Sequence, residues 1–151
     1  MGQWNVVSGF IHEDPYRTLP DEIVESVNDA ALARLPEEDA YPPLTRDLFF
    51  LPPKDASPRP YRGRTIAIAW SSSAGLEDFE AWRTKLEALL REMIWDHALV
   101  TVTTESGDFV MRWDALRTSA DDASPVAAWT TKAWQLDTAA PLESPKLGFD
   151  G

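Results

Sequence analysis

The chain contains no cysteine, which excludes a disulfide framework, thiolate metal ligands and cysteine nucleophiles. Histidine is almost as scarce: only two are present, His12 and His97, so any imidazole chemistry has to run through them. Basic side chains are short as well, with 14 Lys and Arg against 25 Asp and Glu and a formal net charge of −11. Such a balance repels the polyanionic backbone of DNA or RNA. No stretch approaches the roughly 20 apolar residues of a membrane-spanning helix. The start, Met1 to Val6, lacks the basic and apolar regions of a signal peptide, and Val6 stands where a myristoylation motif takes Ser or Thr. These absences lead to the expectation of a soluble, unanchored, cytoplasmic protein with neither nucleic acid nor membrane as partner.

What is present points to one folded unit. The 151 residues are 44% hydrophobic and 26% charged, ordinary globular usage for a single core. Gln3 to Ile11 sets Trp4, Val6, Ser8 and Phe10 against Asn5, Val7, Gly9 and Ile11, and two partly apolar faces suit a central strand. From Pro20 to Leu35, Ile23, Val27, Ala30, Ala31 and Leu35 recur at helical spacing, with Thr18 as the N-cap candidate. Leu44 to Leu51 reads as a short strand ended by Pro52-Pro53.

Arg64 to Trp70 alternates small Thr65, Ala67 and Ala69 with large Ile66, Ile68 and Trp70, as a strand does. Ser71 to Gly75 is a turn, and Leu76, Phe79, Trp82, Leu86, Leu89, Leu90 and Met93 then form the apolar stripe of a second helix. His97 to Thr104, the turn Glu105 to Asp108, and Phe109 to Trp113 make a hairpin. Residues 125–136 permit either a short helix after Ser124-Pro125 or a strand. From Asp137 the prolines and the closing Gly148-Phe149-Asp150-Gly151 suggest a loose tail. The expected organisation is one α+β domain over residues 1–136 with a tail over 137–151. Its antiparallel sheet carries two helices on one face, in ferredoxin-like split βαβ order with an extra C-terminal hairpin strand.

In that topology the first and fourth strands are antiparallel neighbours, so His12 at the end of one lies beside His97 at the start of the other. With Glu13 and Asp96 adjacent in sequence, two imidazoles and a carboxylate would meet as in a metal or acid–base site. Two surface histidines at strand ends explain the same residues more simply, since no ligand spacing such as HExxH accompanies them. Ser71 to Gly75 precedes a helix but has no phosphate-loop or nucleophile motif, and reads as a simple turn.

Seven tryptophans are present. Trp4, Trp70, Trp82 and Trp113 fall on element faces and are expected in the core. Trp95, Trp129 and Trp134 are not tied to such a face and are candidate interface anchors. Acidic residues crowd Asp21 to Asp39, where Glu22, Glu25, Asp29, Glu37, Glu38 and Asp39 form either a docking face for a cationic partner or a solvated helix surface. The basic stretch Lys54 to Arg64, with Tyr61, would bind a phosphate, an acidic partner or the chain's own acidic helix.

The reading that follows is a non-catalytic acidic protein, needing no cofactor, that docks a basic partner protein. By size and charge it compares with immunity-type inhibitors of basic toxins or enzymes. The alternatives are a metal-binding domain or enzyme built on His12 and His97, and a small-molecule sensor with a Trp-lined pocket against the sheet.

Overall fold

The computed structural model describes residues 4–13, 19–52, 63–72, 79–105, 107–117, 120 and 123–139. In chain order its elements are β1 (Asn5–His12), α1 (Asp21–Ala33), β2 (Phe49–Phe50), β3 (Thr65–Ser72), α2 (Phe79–Leu90), β4 (His97–Thr104), β5 (Gly107–Ala115) and β6 (Trp134–Ala139). The strands form one six-stranded sheet in the order β2-β3-β1-β4-β5-β6, with every neighbouring pair antiparallel. The chain is therefore α+β, with two helices among the described residues.

Strand alternation sorts the sheet's two faces. Val7 and Ile11 of β1, Ile66 and Ile68 of β3, and Ala98, Val100 and Val102 of β4 are all buried. The residues between them differ: Val6, Ser8, Thr65, Ala67 and Ala69 are exposed. Ala31 and Leu32 of α1 and Trp82, Leu86, Leu89 and Leu90 of α2 join the large side chains of the sheet in a single core cluster. Two of the buried indoles satisfy their polar edges, as low-dielectric surroundings favour. Trp82 Nε1 donates to the Pro43 carbonyl at 2.9 Å, and Trp113 Nε1 donates to Glu87 Oε2 at 2.8 Å. At the centre of the sheet, a Cβ on Gly9 would stand 2.0 Å from the Leu99 carbonyl oxygen. Only glycine lets β1 and β4 approach this closely.

Several boundaries differ from the sequence expectation for identifiable reasons. The expected strand over 44–51 is a 3-10 turn, Arg46–Leu48, followed by the two-residue β2. Leu44, Leu48 and Phe49 all have to reach the core, a spacing that a turn serves and an alternating strand does not. Within 125–136 the chain makes a 3-10 turn, Val126–Trp129, before β6 begins. β6 runs to Ala139 paired with β5, so ordered structure passes the expected boundary at Asp137. Trp4, expected in the core, is 45% exposed just ahead of β1. Thr18, Leu76 to Asp78 and residues 140–151 lie outside the described residues.

The segment after α1 is fastened to α2 by one lysine. Lys85 Nζ donates to Asp39 Oδ2 at 2.8 Å and to the carbonyls of Ala40 and Pro42, while Asp39 Oδ2 also accepts the Leu44 amide at 3.0 Å. The Lys85 hydrogen bond, followed by that from the Leu44 amide, lowers the Asp39 pKa. A carboxyl with a depressed folded pKa stabilises the fold above its unfolded value of about 3.8, and that contribution is lost as pH falls through the folded value. Asp39→Asn is expected to lower the urea midpoint at neutral pH and to converge on the parent as both are acidified toward about pH 2. A gap that persisted into acid would contradict this.

Candidate functional site

The pairing of β1 with β4 sets His12 directly opposite His97. Alternation turns both imidazoles away from buried Ile11 and Ala98, onto the sheet face that is partly open to solvent. Asp96, immediately before β4, is held by its backbone on both sides: its amide donates to the His12 carbonyl at 3.0 Å and its carbonyl accepts the Ala115 amide at 2.8 Å. Asp96 Oδ1 lies 2.8 Å from His12 Nδ1 and 2.8 Å from His97 Nδ1. The same oxygen accepts the His97 backbone amide at 2.6 Å. The two imidazoles stack at 4.9 Å between centroids, and Phe10 meets His97 edge-on at 5.5 Å. One ligating atom from each of His12, Asp96 and His97 lies within 4.8 Å of the others, and all three side chains are half-buried.

Glu13, expected to share this cluster, does not belong to it. One residue past His12, it follows the parity of Val7 and Ile11 and turns inward, where it is 2% exposed. Arg64 meets it there: Nε donates to Oε1 at 3.0 Å and an Nη donates to Oε2 at 2.8 Å, a bidentate pair. The same Arg64 Nη donates to Asp29 Oδ1 of α1 at 2.7 Å. Asn28 Nδ2 donates to Glu13 Oε2 at 2.8 Å and to the Ile94 carbonyl at 2.9 Å, and Asn28 Oδ1 accepts the Ile94 amide at 2.8 Å. Next to Arg64, Gly63 has φ of +76°, and a Cβ there would come within 2.6 Å of the Glu13 carbonyl oxygen. Burial is the largest influence on Glu13 and raises its pKa, against the lowering by hydrogen bonds from Arg64 and Asn28. Burial also works against the Arg64 cation, but hydrogen bonds to Glu13 and Asp29 outweigh it and lift the Arg64 pKa.

Sequence reading missed this network, although parity was available as a signal. Arg64 stands in step with Ile66 and Ile68 as Glu13 does with Ile11, so each charge sits one position beyond a buried face. Of the basic stretch, Arg64 thus pairs with the chain's own acidic helix, while Lys54 to Arg62 lie outside the described residues.

The other expected site residues are scattered. Glu22 and Glu38 are exposed, and Glu25 is half-buried. Asp29 is committed to Arg64, Asp39 to Lys85, and Glu37 to Arg46 at 2.7 Å. Trp95 and Trp129 are corrected from surface anchors to core residues, at 0% and 6% exposure. The connection from α2 to β4 dips inward, burying Met93, Ile94 and Trp95 in succession, and Trp95 Nε1 donates to the Leu90 carbonyl at 2.8 Å. Trp129 packs with Val24 and Ile94 in a second small core. Trp134 is half-buried, with its ring 5.9 Å from that of Trp95 and 4.8 Å from the Arg91 guanidinium. Ser71 and Ser72 belong to β3, and the rest of that expected turn lies outside the described residues.

No protein-family model matches this chain, and neither a curated protein nor a solved structure resembles it significantly.

Removing Arg64 while leaving Glu13 buried should cost about 3–5 kcal/mol, the usual penalty for breaking a buried pair. A carboxyl with a raised folded pKa keeps its proton longer in the folded chain than in the unfolded one, so stability falls as pH rises above the unfolded value. Arg64 holds the Glu13 pKa down against burial, so in Arg64→Met that pKa rises further and urea unfolding should show a larger loss at about pH 7 than at about pH 5. Adding Glu13→Gln should recover part of the loss at neutral pH. A loss that ignored both pH and Glu13→Gln would mean that the pair is not the source.

Proposed function

We propose that the chain binds a divalent transition-metal ion through His12, Asp96 and His97. The observation that carries this reading is the convergence of three ligating atoms within 4.8 Å on two adjoining strand ends. Two imidazoles and one carboxylate suit zinc and its first-row neighbours, and three protein donors leave further positions for water or a small ligand. Asp96 would be the bridge, because one carboxylate oxygen already contacts both imidazoles. Phe10 against His97 would restrict that ring's rotation.

The test is titration of the protein with Co²⁺, followed by its visible absorption. One equivalent should bind, with affinity at least tenfold weaker in His12→Ala and in His97→Ala. Affinity should also fall on acidification, because ligating imidazoles must be unprotonated. Equal binding by the parent and a His12→Ala, His97→Ala double variant would remove the basis for the site.

A second reading, docking of a basic partner protein, is supported by the net charge of −11 and by exposed Glu22, Glu37 and Glu38. It no longer draws on Trp95 or Trp129. Its complex should dissociate as salt screens the attraction, and should weaken on Glu22→Lys with Glu38→Lys. A complex indifferent to both would count against electrostatic docking. For the fold we propose the split βαβ arrangement. It is supported by the order β2-β3-β1-β4 and by the presence of both helices in one core cluster with the sheet.

A further inference from the structure

A cavity of about 300 Å³ lies where the first turns of α2 meet β5 and β6, and its lining includes none of His12, Asp96 and His97. Phe79, Phe109 and Met111 supply apolar wall, and Arg83, Glu80 and Thr138 supply the polar groups. This is the lower end of the volume range of small-molecule sites, and the mix of mostly apolar lining with a few polar groups is theirs as well. At the roughly 30 Å³ that a water-sized group takes in a liquid, it holds on the order of ten non-hydrogen atoms.

Arg83 gives the cavity its chemical preference. One Nη of its guanidinium pairs with Glu80 Oε2 at 3.0 Å, but its Nε is buried and has no hydrogen-bond partner. A guanidinium cannot shed its proton, so a buried N–H of this kind calls for an acceptor. Only one other described side-chain donor is buried without a partner, Nε1 of Trp70, whose ring lies 6.1 Å from that of Trp82. Trp82 in turn stacks on Phe79 at 5.4 Å. Through Trp82, Trp70 is thus linked to Phe79 in the cavity wall.

We propose that this cavity binds a small amphipathic monocarboxylate, either a medium-chain aliphatic acid or an aryl acid. The Arg83 side chain turns to bring its covered, unmet Nε to the carboxylate, and the hydrocarbon lies against Phe79, Phe109 and Met111. Glu80 already offsets part of the Arg83 charge, so each negative charge a ligand brings is opposed, and a monoanion meets less of that opposition than a dicarboxylate or a phosphate ester. The proposal is independent of the metal site, and His12→Ala leaves it unchanged.

The probe is octanoate, which has ten non-hydrogen atoms, with octanol as its neutral counterpart, each titrated into the full chain by calorimetry. Tryptophan fluorescence serves as a second readout, because a ligand against Phe79 perturbs the Trp82 stack. The expected result is saturable one-to-one binding of octanoate, at least tenfold tighter than octanol. Arg83→Met, which keeps the aliphatic stem, is expected to erase that preference. No saturable octanoate binding up to about 10 mM overturns the proposal, as does equal affinity for the acid and the alcohol in the parent. The parent's acid-to-alcohol ratio decides the matter even if Arg83→Met fails to fold. Retention of the tenfold preference by a folded Arg83→Met would remove Arg83 from the site and overturn the assignment.

Discussion

The bidentate pair between Glu13 and Arg64 is the interaction on which the rest of the structure leans. It closes the ends of two neighbouring strands, β1 and β3, and Arg64 extends the closure to α1 through Asp29. Asn28 carries it on to Ile94, the segment that leads into β4. Four pieces of chain from distant parts of the sequence are thus joined behind the strand ends where His12 and Asp96 lie. Moving two opposite charges out of water is costly, and good geometry with saturated hydrogen bonding is what offsets it. Here each Glu13 oxygen has a donor, and Arg64 has a carboxylate on either side.

A single step in strand parity separates this interior network from the half-exposed cluster. His12 and Glu13 are consecutive, yet one turns toward solvent and the other toward the core, because successive side chains of an extended chain alternate. The backbone couples the two sides. The Glu13 amide donates to the Arg64 carbonyl, and the His12 carbonyl accepts the Asp96 amide. The positions of His12 and Asp96 are therefore set from behind by a charge pair that never reaches the open face. The wider acidity of the chain is partly consumed in the same inward fashion: Asp29 and Glu87 each bind a buried side chain, Arg64 and Trp113, and Asp39 holds the loop over α2.

The elements with strong periodicity were legible from sequence. β4 starts and ends where its alternating Val and Thr place it, and the meeting of His12 with His97 follows from strand order alone. Less legible were the places where a side chain answers to tertiary rather than local pattern. Trp95 lies in a connection, where no period can reveal that three consecutive residues go inward. β2 is reduced to Phe49–Phe50 because Leu44 and Leu48 serve the core through a turn. β6 carries Gln135, Asp137 and Thr138, a weak alternation that becomes a strand only because β5 offers an edge to pair with. The cavity beside Arg83 is built from α2, β5 and β6 together, so no local stretch of sequence announces it.

Asn28 imitates a piece of backbone. Its amide gives one hydrogen bond to the Ile94 carbonyl and takes one from the Ile94 amide, the exchange that two residues of neighbouring strands make, and its remaining N–H serves Glu13. Position 28 is consequently close to a one-letter site. Aspartate would set a second carboxylate against Glu13 and leave the Ile94 carbonyl without a donor. Leucine would fill the volume and strand both polar groups, and glutamine is one methylene too long for a buried seat. Its apolar neighbours Val24, Ala31 and Leu32 answer only to volume, whereas this position admits a single shape with a single pattern of donors and acceptors, so descendants of this fold should exchange one apolar residue for another around Asn28 but not replace it.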